Sequence, residues 1–197
     1  MDPENWQHEI AARIEVLADL EPEVDILMRD HESKRELWWP SDLMEDPEEE
    51  NSLDGLAKLR EMARGLTDPC RIALALNLIT EEGLPDFHPL LAVHFGDETF
   101  WRRWMNLWTA EEDRHGAVLH DYCHDSQVLN PPILEQMQFD YIRSGFQPEW
   151  DKDPYRVFVY TTLQERATQV RHANTGKLDG EYEPTSGTVL VNVGKKE

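Results

Sequence analysis

Hydrophobic and polar positions along this chain recur with a period near 3.6, and no long stretch alternates with a period of two. Trp6, Ile10, Ile14 and Leu17 open the pattern behind Asp2 and Pro3, which suit an N-cap and a first helical turn. Further helices are expected at roughly 53–65, 69–94, 97–126, 131–144, 153–176 and 185–197. The turn signals "GLTDP", "FGD", "LNPP", "SGFQP" and "LDGEYEP" separate them. "PSDLMEDPEEENS" is polar, acidic and marked by proline, and reads as a long loop. There is no solenoid-type repeat and no low-complexity linker, so residues 1–197 are read as one all-α domain.

The apolar stripes of four helices contain carboxylates. In the 97–126 segment, Trp104, Trp108, Glu112, His115, Leu119 and Tyr122 follow steps of four and three and share one face. Glu111 points about 100° away and reads as a surface carboxylate. Leu74, Leu78, Glu81 and Pro85 form a second such stripe, and Phe158, Thr161, Glu165, Thr168 and His172 a third. Leu190, Val193 and Glu197 form the fourth. One such glutamate can be half of a buried ion pair, but four on apolar faces need a common explanation. Each buried carboxylate costs several kcal/mol unless compensated, and the lysines and arginines do not share the stripes. A pair of divalent cations would neutralise all four.

Glu81 and Glu112 lie 31 positions apart, and Glu165 and Glu197 lie 32 apart. Each interval fits two antiparallel half-helices and a turn. The 53 positions between the pairs leave room for a crossover with its own helix. Two hairpins joined by a long crossover make a ferritin-like di-iron four-helix bundle, here with additional helices. Such sites take single glutamates from two helices and Glu-x-x-His from the other two. Glu81 and Glu165 are the single glutamates, and Glu112 with His115 is one Glu-x-x-His. The other would begin at Glu197, where the sequence ends, so the last bundle helix is expected to be incomplete.

Charge narrows the partners. Forty acidic residues against nineteen basic ones give a net charge of −21, a surface that repels nucleic acid and anionic membranes. Only six basic residues are lysine, which suits a salt-adapted, halophilic source or a merely acidic protein. No apolar run reaches transmembrane length, and "MDPENWQHEI" has no apolar core of a secretory signal. The two cysteines, Cys70 and Cys123, form no metal-type pair and fit a reducing cytoplasm. A cytoplasmic bacterial or archaeal chain is expected.

"WWPSDLMEDP", "LITEEGLP", "WTAEEDRHG", "SGFQP", "YTTLQERATQVRHANT" and the final "KKE" occur in the order and near the spacing of one family. From about Trp38 to its end the chain resembles the soluble acyl-[acyl-carrier-protein] desaturases, typified by the plant stearoyl enzyme. The resemblance implies iron ligands at Glu81, Glu112, His115, Glu165 and Glu197, a near-site role for Thr168, and an electron route through Trp38. It implies two ferrous ions, O2 as co-substrate, an acyl chain on acyl carrier protein, electrons from ferredoxin, a homodimer and a cis double bond as product. Carboxylates suit the chemistry because they are hard, anionic ligands able to bridge metals.

Two features depart from the family pattern. The histidine due three residues after Glu197 is not in this sequence, and Lys196 stands where the family is usually acidic. Truncation at the C-terminus is therefore expected, with five ligands in place of six. Another ferritin-like oxidase and a non-catalytic, partner-binding helical remnant are the alternatives. His120 and His124 around Cys123 lack the Glu and third ligand of a zinc site. His88 and His94 read as surface or satisfied core residues, and Arg102 and Arg103 as candidates for docking an acidic carrier.

Overall fold

The computed structural model describes residues 3–44, 53–92, 95, 99–145 and 154–196. Seven α-helices run through them: α1 Pro3–Lys34, α2 Leu53–Ala63, α3 Asp68–Ala92, α4 Phe100–Ser126, α5 Pro131–Ser144, α6 Pro154–Asp179 and α7 Pro184–Lys196. A short 3-10 turn spans Pro40–Asp42, and no strand occurs among the described residues. The all-α, ferritin-like expectation holds. α7 has 13 residues against 25 to 27 in α3, α4 and α6.

Most ends fall within three residues of the sequence reading, because turn chemistry sets them. Thr99 caps α4 by accepting from Arg102 N at 3.1 Å, and Asn130 caps α5 ahead of Pro131 and Pro132. α4 ends on Gln127 in the left-handed region (φ 51°). The large departure is α1, which extends well beyond the Trp6–Leu17 pattern, through Pro22 to Lys34. Proline removes one amide donor, yet Leu17, Val24 and Met28 keep a continuous buried stripe across it. Packing overrides the local break. Asp2 lies outside the described residues.

Two antiparallel hairpins, α3–α4 and α6–α7, form the bundle, and they meet through α3 with α6 and α4 with α7. α1 lies across α4 and α6, α2 and the 3-10 turn pack on α4, and the crossover helix α5 lies on α3. The Trp101 indole donates to Leu17 O at 2.8 Å, and Glu21 accepts from Phe100 N at 2.9 Å, so α1 also caps α4.

Glycine brings α6 and α7 unusually close. A Cβ at Gly187 would lie 2.5 Å from Gly180 Cα and 2.8 Å from Gly176 O. Beside this contact, Glu183 accepts from Tyr122 Oη at 2.7 Å and from the backbone of Thr185 and Ser186, which caps α7 from inside the protein. The turn signal "LDGEYEP" forms a tight turn, and it carries this fully buried carboxylate.

The apolar interior divides into two clusters. One gathers Leu74, Leu78, Leu119, Tyr122 and Leu190; the other gathers Leu84, Phe87, Trp101, Met105 and Val157. Each fully buried leucine contributes about 1.5–3 kcal/mol. Glu81 falls between Leu78 and Leu84, and Glu112 and His115 fall between Met105 and Val118. The polar groups therefore sit at the junction of the two cores.

Candidate metal centre

α3 and α4 bring Glu81, Glu112 and His115 together. Each offers one ligand atom, and the three atoms lie within 4.8 Å of one another. All three residues are at most 3% exposed. The helical phase read from the tryptophan stripe is correct: Glu112 and His115 point inward, one turn apart. Glu111 instead pairs with Arg114 at 2.5 Å, half-buried rather than on an open surface.

Neighbouring side chains hold these groups. Trp108 Nε1 donates to Glu112 Oε1 at 2.9 Å, and His115 Nδ1 lies 3.1 Å from Glu112 Oε2. His172 of α6 places Nε2 2.8 Å from Glu81 Oε1, with both side chains buried. Arg171 approaches the same oxygen at 3.7 Å and donates to Thr80 Oγ1 at 2.7 Å. One arginine therefore does reach a carboxylate stripe, contrary to the sequence reading, because its long side chain spans the gap between helix faces. Trp38 stacks on the His115 ring with centroids 5.8 Å apart and planes 21° apart. The Arg114 guanidinium lies over the Trp38 ring, 5.8 Å from its centroid.

His88 is a core residue satisfied at one ring nitrogen only: its Nε2 is buried and has no hydrogen-bond partner among the described residues. The Thr109 hydroxyl donates to Met105 O, so His88 Nδ1 donates to Thr109 Oγ1 at 2.6 Å. Its ring packs on Trp108 at 4.1 Å. Burial lowers its pKa from 6.5 to about 4, against an opposing pull from Glu112, so it is neutral near pH 7.

The other expected site residues are placed differently. Glu165 is half-buried on α6 and is not in the Glu81–Glu112–His115 group. Thr168 turns its hydroxyl back to Gln164 O and Glu165 O at 3.1 and 3.0 Å. Glu197 and His94 lie outside the described residues. His120 and His124 are exposed and face Glu82 and Asp125, while Cys123 is buried. Arg103 is engaged with Glu32 at 2.7 Å. His172 is the residue that the sequence reading missed as part of the site, although it lay on the Glu165 stripe.

The donor set suits a hard or borderline divalent ion: two carboxylates and an imidazole. Glu81 Oε2 is buried and accepts no hydrogen bond among the described residues. An oxygen so placed carries a desolvation cost that a bound cation would offset.

The family model described as fatty acid desaturase matches residues 12–197. The chain belongs to this family. Its relatives include acyl-[acyl-carrier-protein] desaturase 6, chloroplastic, of Oryza sativa subsp. japonica, 38% identical over 85% of this chain and 43% of that protein. Stearoyl-[acyl-carrier-protein] 9-desaturase, chloroplastic, of Gossypium hirsutum is 38% identical over 74% of this chain and 38% of its own length. Stearoyl-[acyl-carrier-protein] 9-desaturase 1, chloroplastic, of Arabidopsis thaliana is also 38% identical, over 72% and 38%. The chain thus spans about two fifths of the length of these curated relatives. The expectation of a cytoplasmic bacterial or archaeal desaturase, with a salt-adapted source, is overturned: these relatives are chloroplastic plant enzymes. Charge misled here because an acidic surface maintains solubility in any compartment. No described helix is long and apolar enough to cross a membrane.

Proposed function

We propose that this chain carries the metal-binding part of a desaturase that inserts a cis double bond into a fatty acyl chain held on acyl carrier protein. The observation that carries the reading is the buried meeting of Glu81, Glu112 and His115 in a fatty acid desaturase family chain. These three would hold one iron ion, and Glu165 and Glu197 would serve the second. When bound, the iron pair supplies the oxidising power drawn from O2 and two electrons. The overall balance converts CH2–CH2, O2, two electrons and two protons into CH=CH and two waters.

The protein's own groups set the geometry. His172 holds one oxygen of Glu81, so the other oxygen faces the site. The Trp108 indole fixes Glu112, leaving its position insensitive to solvent. Trp38, stacked on His115, would carry electrons from the donor to the site. Thr168 stands one turn beyond Glu165, on the proposed oxygen-binding face. Ferredoxin as the donor, a single domain over the chain and a homodimeric assembly belong to the same proposal.

The test is metal titration of the purified chain, with Co2+ as an optical probe and Fe2+ under argon. Glu112→Ala is expected to weaken binding more than about 100-fold, beyond the usual effect of losing a supporting residue. Glu111→Ala is expected to leave binding nearly unchanged. Equal losses in the two variants would refute the site.

A further inference from the structure

A cleft of about 430 Å³ opens between α3, α4 and α5 and ends on Glu81. Its lining contains four carboxylates, from Glu81, Glu82, Asp113 and Asp121, and neither lysine nor arginine. Burial increases inward: Asp113 and Asp121 are exposed, the Glu82 side chain is 20% exposed, and Glu81 is 1% exposed. His120 lines the cleft and holds Glu82 Oε1 at 2.8 Å. Glu82 Oε2 and Glu81 Oε2 are both buried and accept no hydrogen bond among the described residues.

We propose that this cleft is the inlet through which a hydrated divalent cation reaches the buried Glu81–Glu112–His115 group. The inference rests on the metal-binding reading above. An aliphatic chain is a poor occupant, because it would strip water from four carboxylates without offering them a partner. A hydrated cation is a good one: at roughly 30 Å³ per water the cleft holds about 14 waters, more than the six of a first hydration shell. Asp113 and Asp121 draw the cation in, since like-signed groups lining a cleft focus the field and raise association rates about 10- to 1,000-fold. Glu82, with one oxygen held by His120 and the other unengaged, is the intermediate stop. Glu81 is the residue directly before it in the chain, so the ion passes between adjacent side chains of α3 while shedding water. Gly116 lines the cleft, and a Cβ there would meet the Glu82 side chain at 3.4 Å.

The experiment is stopped-flow uptake of Co2+ by the 197-residue chain, with affinity measured separately by titration. The triple variant Glu82→Gln, Asp113→Asn and Asp121→Asn is expected to slow association at least about tenfold. Ala117→Phe, which narrows the same cleft without altering charge, is expected to slow association and dissociation together, leaving the dissociation constant within about threefold. Glu111→Gln, an acid outside the lining, is expected to change neither rate. Added NaCl should slow the native chain more than the triple variant, as screening dictates. Circular dichroism checks the fold of each variant, and Asp113→Asn alone keeps the test sharp if the triple variant unfolds. Native uptake rates in Asp113→Asn and Ala117→Phe would overturn the inlet and leave the metal site standing. A native chain that binds no Co2+ would overturn both.

Discussion

Gly187→Ala tests whether backbone contact between α6 and α7 holds the second half of the bundle in register. An alanine in a helix interior ordinarily gains about 1 kcal/mol over glycine, so an isolated α7 would be stabilised. In the folded chain the new methyl would meet three backbone atoms at 2.5–2.8 Å: Gly180 Cα, Gly176 O and Gly180 N. Backbone cannot rotate away as a side chain can, so the helices must separate by nearly 1 Å. Overpacking of this kind costs about 1–3 kcal/mol, and three backbone contacts place it at the upper end. The net expectation is a loss of about 2 kcal/mol, a fall in Tm of roughly 4–8 °C for a chain of this size. Urea unfolding followed by tryptophan fluorescence measures it, with the slope against urea expected to stay constant. Gly83→Ala is the contrast: its Cβ would press only on the ring of Tyr141, a half-exposed side chain free to swing. A Gly187→Ala chain as stable as the native one would refute the close packing.

Two further outcomes follow from the site. His172→Ala should weaken divalent-metal binding about 10- to 100-fold, the usual effect of removing a ligand's supporting partner, while Arg171→Ala, at 3.7 Å from Glu81 and more exposed, should change it little; isothermal titration separates them. His88 keeps a folded-state pKa near 4 against 6.5 when unfolded, so below pH 6.5 only the unfolded chain takes up this proton. Its contribution is therefore complete above pH 6.5 and is lost as pH falls towards 4, at no more than about 1.4 kcal/mol per pH unit. His88→Gln should flatten urea midpoints over that window, and parallel curves for the two proteins would contradict the assignment.

Glu112 and His115 were legible in the sequence because their partners lie on the same helix. Glu112 and His115 are one turn apart, Trp108 is one turn before Glu112, and helical phase alone brings all three inward. Glu81 was legible because its own stripe, Leu74 and Leu78, is fully buried. What periodicity could not give is pairing across helices. His172 and Glu81 are 91 positions apart, and nothing local marks them as partners. The same holds for Tyr122 and Glu183, where an apparent loop residue serves as a buried cap. α1 escaped for the opposite reason. Its proline is a strong local signal, and the burial of Val24 and Met28 that overrides it depends on α4 and α6.

The contact between His172 and Glu81 also explains why the glycines matter to the site. Glu81 belongs to the first hairpin and His172 to the second, so the orientation of the carboxylate depends on how the two hairpins dock. A Cβ at Gly194 of α7 would sit 3.1 Å from His172 Cβ and from the backbone of Ala173 and Gln169. α7 thus presses directly on the turn of α6 that carries His172. Bulk added on the α7 face would move His172 outward or rotate it, and Glu81 would lose the hydrogen bond that orients it. Metal affinity should therefore respond to substitutions in the α6–α7 seam that touch no ligand. A Gly194→Ala chain that keeps native stability yet binds Co2+ more weakly would locate the effect in this chain of contacts. Unchanged affinity in a chain with a measurably widened seam would show that Glu81 is held by its own hairpin alone.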